Sequence, residues 1–178
     1  MTTELIKNSL KNNLNLKTER KCFDEYIDCI EDLLSSEIVD SLNDFVQHGS
    51  VTCFEHSLSV SYCSYLVCKL LKLDYRSAAR GGLLHDLFLY DWHKRKLIGG
   101  KHGFTHPYTA LENARRHFTL NRKEKDIIVK HMWPLTFWLP RYKEAFVVSF
   151  VDKYCALLEI VKFFRMKLVA CKNEYMYW

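Results

Sequence analysis

Turn-forming residues are scarce in this sequence, which has three prolines and six glycines among 178 residues. Alternating β-branched patterns are also rare, whereas a 3.6-residue apolar repeat recurs from Glu19 onward. Strand-rich folds need frequent turns and a two-residue alternation, so these shortages disfavour them. We therefore predict an all-α helical bundle.

The sequence also lacks CxxC spacings, and its seven cysteines are odd in number. Cys63 and Cys155 fall on apolar helical faces, which favours reduced core residues over a disulfide framework. No apolar run approaches the roughly 20 residues of a membrane span, and no basic-then-apolar N-terminal signal is present. We expect a cytoplasmic protein that does not contact a membrane.

With 48% hydrophobic and 26% charged residues, the chain can bury a core without disulfides. We predict one domain over residues 1–178, with a loosely packed segment at 1–20, a central core at 50–160, and helices at Cys22 to Leu34 and Glu37 to Gln47. A net charge of +5 favours anionic ligands, and nucleic acid is not expected as a partner.

Asp152 lies in a stretch, 146–158, that is apolar on nearly every predicted helical face. A carboxylate buried there costs several kcal/mol (order of magnitude) unless a cation or several donors meet it. No Arg or Lys lies one helical turn away, so the partner comes from elsewhere in the chain or is a metal ion.

Two further helices are predicted to aim polar residues at the same interior. Thr52 and Glu55 form a capping-box pattern that begins a helix, with His56 in its first turn on the buried face. The next helix is predicted to begin near Asp74 and to run through the adjacent pair His85-Asp86, and its neighbouring glycines indicate close helix packing.

Two more histidines follow at helix boundaries. His106 and Pro107 are interpreted as the N-cap and first residue of a helix. A later helix, opened by residues 121–124, places Ile127 and Ile128 on the face of His131 and is ended by Pro134.

Taken in order, these residues resemble the H…HD…H…H…D pattern of the binuclear branch of the HD superfamily of metal-dependent phosphohydrolases, over roughly residues 50 to 160. That branch includes cyclic-dinucleotide phosphodiesterases, diadenosine-tetraphosphate hydrolases and some di-iron oxygenases. The matching positions are His56, His85, Asp86, His106, His131 and Asp152.

The resemblance implies an all-α HD-type bundle with two divalent ions, iron or manganese, with zinc, nickel or magnesium as alternatives. The first histidine, the HD histidine and the last aspartate would bind one ion, the two middle histidines the other, and the HD aspartate would bridge them. A metal-bridged hydroxide would then hydrolyse a phosphate ester or anhydride of a small molecule such as a nucleotide. The expected catalytic residues are Asp86, His85 and Lys153.

Substrate contacts are expected from the basic, glycine-containing loop between the HD pair and His106. Its candidates are Lys94, Lys101 and His102, since cationic side chains suit a phosphorylated substrate. His48 and His117 are interpreted as ordinary surface residues. The aromatic residues near the second half of the site either stack on a base or, as we favour, line the core; they are Trp92, Trp133, Phe137 and Trp138.

Departures from the family patterns leave alternatives open. The stretch after Asp86 lacks the Gly-Lys and GYP features of cyclic-dinucleotide enzymes, and Leu89 stands where guanosine-tetraphosphate hydrolases have a glutamate. The alternatives are a di-iron oxygenase and a non-catalytic metal- or nucleotide-binding sensor module. The terminal aromatics Tyr175, Tyr177 and Trp178 either pack on the domain, as we favour, or contribute to a homodimer.

Overall fold

The computed structural model describes residues 17–91 and 102–174, with side chains described for 20–91 and 103–165. The described chain forms α1 (Lys17–Leu34), α2 (Glu37–Asp40), α3 (Cys53–Leu70), α4 (Tyr75–Leu84), α5 (His102–His117), α6 (Arg122–Lys130) and α7 (Lys143–Glu174). A 3₁₀ turn (Ser41–Asp44) and the strands β1 (Val46–His48) and β2 (Val51–Thr52) complete it. The all-α prediction is confirmed. None of the described helices is long and apolar enough to cross a bilayer.

Helix α4 lies at the centre of the bundle, where it packs closely on two neighbours. A Cβ atom on Gly82 would lie 3.0 Å from Ser61 Cα in α3, and one on Gly81 would lie 2.8 Å from an Ile127 methyl carbon in α6. The paired glycines therefore have the packing role that the sequence predicts, because any larger side chain would separate the helices.

The predicted helix starts are confirmed at three positions. Thr52 and Glu55 form a complete capping box at α3. Asp74 caps α4 by accepting a hydrogen bond from the Ser77 amide, and Asn121 begins α6 with a second capping box. Each cap satisfies amides that the first helical turn leaves without partners.

Two helix predictions in this region need correction. Helix α5 begins at His102, so Pro107 lies inside it and is not its first residue. A proline inside the helix removes one intrahelical hydrogen bond, whereas at the first helical position it removes none. The sequence pattern therefore favoured a helix start at His106. Helix α4 ends at Leu84, which places His85 and Asp86 in the turn that follows.

The helix predicted from Glu37 to Gln47 is wrong beyond Asp40. There the chain makes the 3₁₀ turn and enters the antiparallel β1–β2 hairpin, which turns at Gly49 with φ +63°. The Phe45 carbonyl accepts a 2.8 Å hydrogen bond from the Cys53 amide. Non-local pairing thus overrides the local helical pattern, and it brings Gln47 into the interior.

Helix α7 is the longest described element, and it confirms that the Asp152 helix continues past Ile160. In the C-terminal half of this helix, the ring of Phe163 packs on Gly49, and a Cβ atom added to Gly49 would lie 2.6 Å from that ring. The six cysteines with described side chains are free, as predicted. Residues 1–16 and the aromatics Tyr175, Tyr177 and Trp178 lie outside the described residues.

Candidate metal centre

The six residues of the H…HD…H…H…D pattern meet in one place, although they come from five separate segments. They lie in α3, in the turn after α4, in α5, in the turn after α6 and in the middle of α7. All are buried, and Asp152, at 9% exposure, is the most accessible of them. They are His56, His85, Asp86, His106, His131 and Asp152.

Asp86 lies between two groups of histidines. Its Oδ2 atom is 3.4 Å from His85 Nε2, and its Oδ1 atom is 3.2 Å from His106 Nε2 and 3.5 Å from His131 Nε2. The two carboxylate oxygens thus face different imidazoles, which is the geometry that a bridging carboxylate requires.

Asp152 completes the first group. Its Oδ1 atom lies 3.1 Å from His56 Nε2 and 3.6 Å from His85 Nε2. In the second group, the Nε2 atoms of His106 and His131 are 2.8 Å apart. Four imidazoles therefore point the same ring nitrogen toward the two carboxylates.

A partner of the opposite ring nitrogen, Nδ1, orients each of three histidines. His85 Nδ1 donates to the Gly82 carbonyl at 2.8 Å, and His131 Nδ1 donates to the Ile128 carbonyl at 2.9 Å. His56 Nδ1 lies 3.0 Å from a carboxylate oxygen of Glu159. With the proton on Nδ1, Nε2 of a neutral His85 or His131 ring presents a lone pair, as in metal-ligating histidines. His56 has a carboxylate at each ring nitrogen, and its Nε2 would present a lone pair once a metal ion replaces the proton there.

Two buried atoms at the centre lack a well-oriented donor or acceptor. Among the described residues, neither His85 Nε2 nor Asp86 Oδ1 has a hydrogen-bond partner of acceptable geometry. A buried polar atom left without a partner costs about 1–3 kcal/mol. Divalent cations bound at the centre would meet both atoms, and imidazole with carboxylate suits iron, manganese and zinc. Two groups, His56 with His85 and Asp152, and His85 with Asp86 and His131, bring their ligand atoms close enough together to hold a metal ion.

The charges of the metal-free centre are set by its neighbours. Although burial opposes ionisation, His85 and His106 hold the pKa of Asp86 well below its usual range. Burial and the adjacent His106 and His85 lower the pKa of His131 to about 3, so this ring is neutral at pH 7. Against the opposing effect of burial, hydrogen bonds with Asp152 and Glu159 raise the pKa of His56 to about 10. The centre thus combines anionic carboxylates with at least one proton that a metal ion would replace.

Two supporting residues were missed by the sequence analysis. Gln47 Nε2 donates to Asp86 Oδ2 at 2.7 Å, while its Oε1 accepts from the Cys53 thiol at 3.1 Å. Glu159 holds His56 through Nδ1. Glu159 could have been found, because it follows Asp152 by seven residues and so shares its helical face. Gln47 could not, because its position depends on the hairpin.

A cavity of about 240 Å³ opens on the centre. Its lining includes Asp86, His106, His131 and Asp152, together with Lys153 and His48. His48 is half-buried there, with its ring centroid 5.5 Å from that of His56, so it is not the ordinary surface residue that the sequence predicts.

Lys153 lines the cavity but is anchored in the protein. Its ammonium donates to the His131 carbonyl at 2.7 Å and to the Ser149 carbonyl and hydroxyl at 3.0 and 3.2 Å. It lies 3.7 Å from Asp152 Oδ2, and burial lowers its pKa. In this arrangement Lys153 positions the His131 backbone, and the catalytic roles of Lys153, His85 and Asp86 stay predictions.

The predicted substrate-binding residues cannot be placed. Lys94 and Lys101 lie outside the described residues, as does Trp92, and His102 begins α5 with its side chain outside them. The preference for core positions is wrong for Phe137 and Trp138, which are 101% and 68% exposed. Trp133 does pack, with its ring edge-on to Phe146 and Phe150.

Comparisons of the chain with protein-family models, curated proteins and solved structures found no match.

Proposed function

We propose that this protein is a metal-dependent phosphohydrolase of the HD type that acts on a small phosphorylated molecule, with a nucleotide as the favoured class. The proposal is carried by one observation: the ordered H…HD…H…H…D residues converge with Asp86 between two histidine groups. The order of the residues in the sequence and their meeting in space are separate requirements. Histidines and aspartates that occurred in this order by chance would not be expected to meet at one place in the fold.

The donor set divides into two ion positions. His56, His85 and Asp152 would hold one ion, His106 and His131 the other, and Asp86 would contribute one oxygen to each. Two such cations would supply a water of lowered pKa and a clamp on the attacking and leaving oxygens of a displacement at phosphorus.

The chain's own residues shape the rest of the reaction site. Gln47 and the imidazole hydrogen bonds hold Asp86 and the histidine rings in fixed orientations before any substrate arrives. The cavity is lined by Lys153 and His48, and the Lys153 ammonium would offset the negative charge of a phosphoryl group bound there. Burial of the ligand atoms limits bulk water at the centre.

Metal content is the first test. Protein purified without chelator should carry about two equivalents of metal per chain by elemental analysis, following the two-ion arrangement. Asp86→Ala should lose most of it, because both positions share that carboxylate. The matched control is His117→Ala, which removes an exposed histidine of α5 and should leave the metal content unchanged.

Turnover then distinguishes the reaction classes. The metal-loaded protein should hydrolyse members of a panel of phosphate esters and nucleotides without oxygen, and Asp86→Ala should not. Oxygen-dependent turnover without phosphate release would replace the proposal with the di-iron oxygenase. Bound metal with no turnover on either panel would favour a non-catalytic sensor module.

A further inference from the structure

Helix α7 has an inner face that its own bundle buries and an opposite apolar face that stays largely exposed, although Trp133 contacts Phe150 at its N-terminal end. The inner face carries Val148, Asp152 and Cys155, all buried. The outer face carries five large side chains that are each 45–59% exposed. We name this set the outer seam; its members are Phe150, Tyr154, Leu157, Val161 and Phe164.

The spacing of the outer seam is regular. Its members follow one another by four, three, four and three residues, and Leu168 and Cys171 continue the same steps in the sequence. This is a 3.5-residue repeat, the period at which one helix keeps a continuous contact with another in a left-handed coiled coil. A solvent-facing surface would be polar at these positions, and exposed apolar patches of this kind mark contact sites.

We propose that the outer seam is a homodimer interface in which α7 of one chain packs against α7 of a second copy. A helix with a matching apolar repeat would pack along the whole seam, and an identical α7 supplies one by symmetry. This inference does not depend on the proposed function.

The exposed area is sufficient for such a contact. Phe150, Tyr154 and Phe164 are each 59% exposed, and with Leu157 and Val161 they leave roughly 500 Å² per chain to bury. Two chains together reach about 1,000 Å², the minimum that a biological interface should exceed. Leu158 and Ile160 are exposed beside the seam and would enlarge the buried area. The exposed side chains of Lys162 and Arg165 lie along the same stretch and would belong to the polar rim of the interface.

The mass of the full chain in solution tests the interface. Light scattering after size exclusion should give twice the 21.2 kDa chain mass at micromolar concentration. Leu157→Glu should raise the dimer dissociation constant by more than about 100-fold, because it places a charge from each chain in the seam, and should give 21.2 kDa.

Leu70→Glu is the matched control, because it makes the same change at an 81% exposed leucine at the end of α3. It should stay dimeric. Val161→Glu repeats the test within the seam if Leu157→Glu fails to fold by circular dichroism. A monomeric wild type would overturn the proposal and leave the seam to another occupant, such as the chain's own residues 1–16. A Leu157→Glu or Val161→Glu protein that folds and remains dimeric would also overturn it.

Discussion

The carboxamide of Gln47 spans two buried partners. It donates to Asp86 Oδ2 and accepts from the Cys53 thiol, and Gln47 itself is 8% exposed. Because Asp86 is the carboxylate shared by both histidine groups, a residue that fixes its orientation affects every ligand around it. Outer hydrogen-bond partners of this kind change metal affinity without touching the metal.

We expect Gln47→Leu to weaken metal binding by about 10–100-fold, because the new side chain keeps the volume but cannot hold Asp86. Competition with a chelator of known affinity measures the change. Asn43→Leu, which removes a carboxamide bonded only to Asp40 among the contacts described, should leave the affinity unaltered. Equal affinities for wild type and Gln47→Leu would show that Asp86 needs no such support.

Glu159 supports the other end of the centre through His56. Glu159→Leu should weaken metal binding because Nδ1 of His56 loses its acceptor, and the ring is then free to adopt the other tautomer. Glu159→Gln keeps an acceptor oxygen and should retain most of the affinity in the same chelator competition. A loss of equal size in both variants would indicate that the negative charge matters more than the hydrogen bond.

At the residue level, the site was predictable where one helix fixed the direction of a side chain. His56 and His131 were assigned from the apolar residues on their own faces, and the structure places both where those faces point. Gln47 was not predictable, because a local pattern could not reveal that the chain leaves its helix at Asp40 and pairs as a hairpin. Lys153 was predicted to be a catalytic residue, but the sequence could not predict its short contact to the His131 carbonyl, because that contact depends on where α6 ends.

At the element level, the approach of α3 to α4 sets the distance between His56 and the HD pair. The two helices meet at Gly82, where an added Cβ atom would press on the backbone of Ser61. Backbone atoms cannot rotate away as a side chain can, so this contact is rigid. The close approach of α3 and α4, which carry or precede the first three ligands, therefore requires glycine at position 82.

We expect Gly82→Ala to lower the free energy of unfolding by roughly 1–3 kcal/mol, since overpacking here must displace a helix. Chemical denaturation of the metal-free protein measures this. Gly103→Ala in α5 is the matched comparison, because its Cβ atom would meet only the flexible ends of Leu135 and Met132 at 3.3 and 3.4 Å. That variant should be neutral or up to about 1 kcal/mol more stable, because alanine favours the helix. Similar losses in both would contradict the assigned role of the α3–α4 contact.

At the scale of the whole molecule, one polar network joins the starts of three helices. Lys123 Nζ, in the first turn of α6, lies 2.8 Å from Glu144 Oε1 at the start of α7 and 3.1 Å from Asp74 Oδ2 at the cap of α4. Glu144 Oε1 also accepts the Asp74 amide at 3.0 Å. The starts of α4 and α6 were predictable from the sequence, but the connection between the three helix starts was not, because it depends on how the helices pack.

The network makes stability depend on pH in a definite direction. Although burial opposes ionisation, the hydrogen bond from Lys123 lowers the pKa of Glu144 in the folded protein below its usual value of 4.5. A carboxyl with a depressed folded pKa stabilises the protein fully above its unfolded pKa, and the contribution is lost as pH falls toward the folded value.

Glu144→Gln should therefore lower the free energy of unfolding by roughly 1–3 kcal/mol at pH 7. The gap between wild type and variant should narrow below about pH 4.5, as denaturation of metal-free protein at several pH values would measure. Glu112→Gln changes the net charge equally at a 65% exposed carboxylate and should show no comparable gap. A gap for Glu144→Gln that stays constant from pH 7 to pH 3 would mean that Glu144 acts through packing and not through its charge.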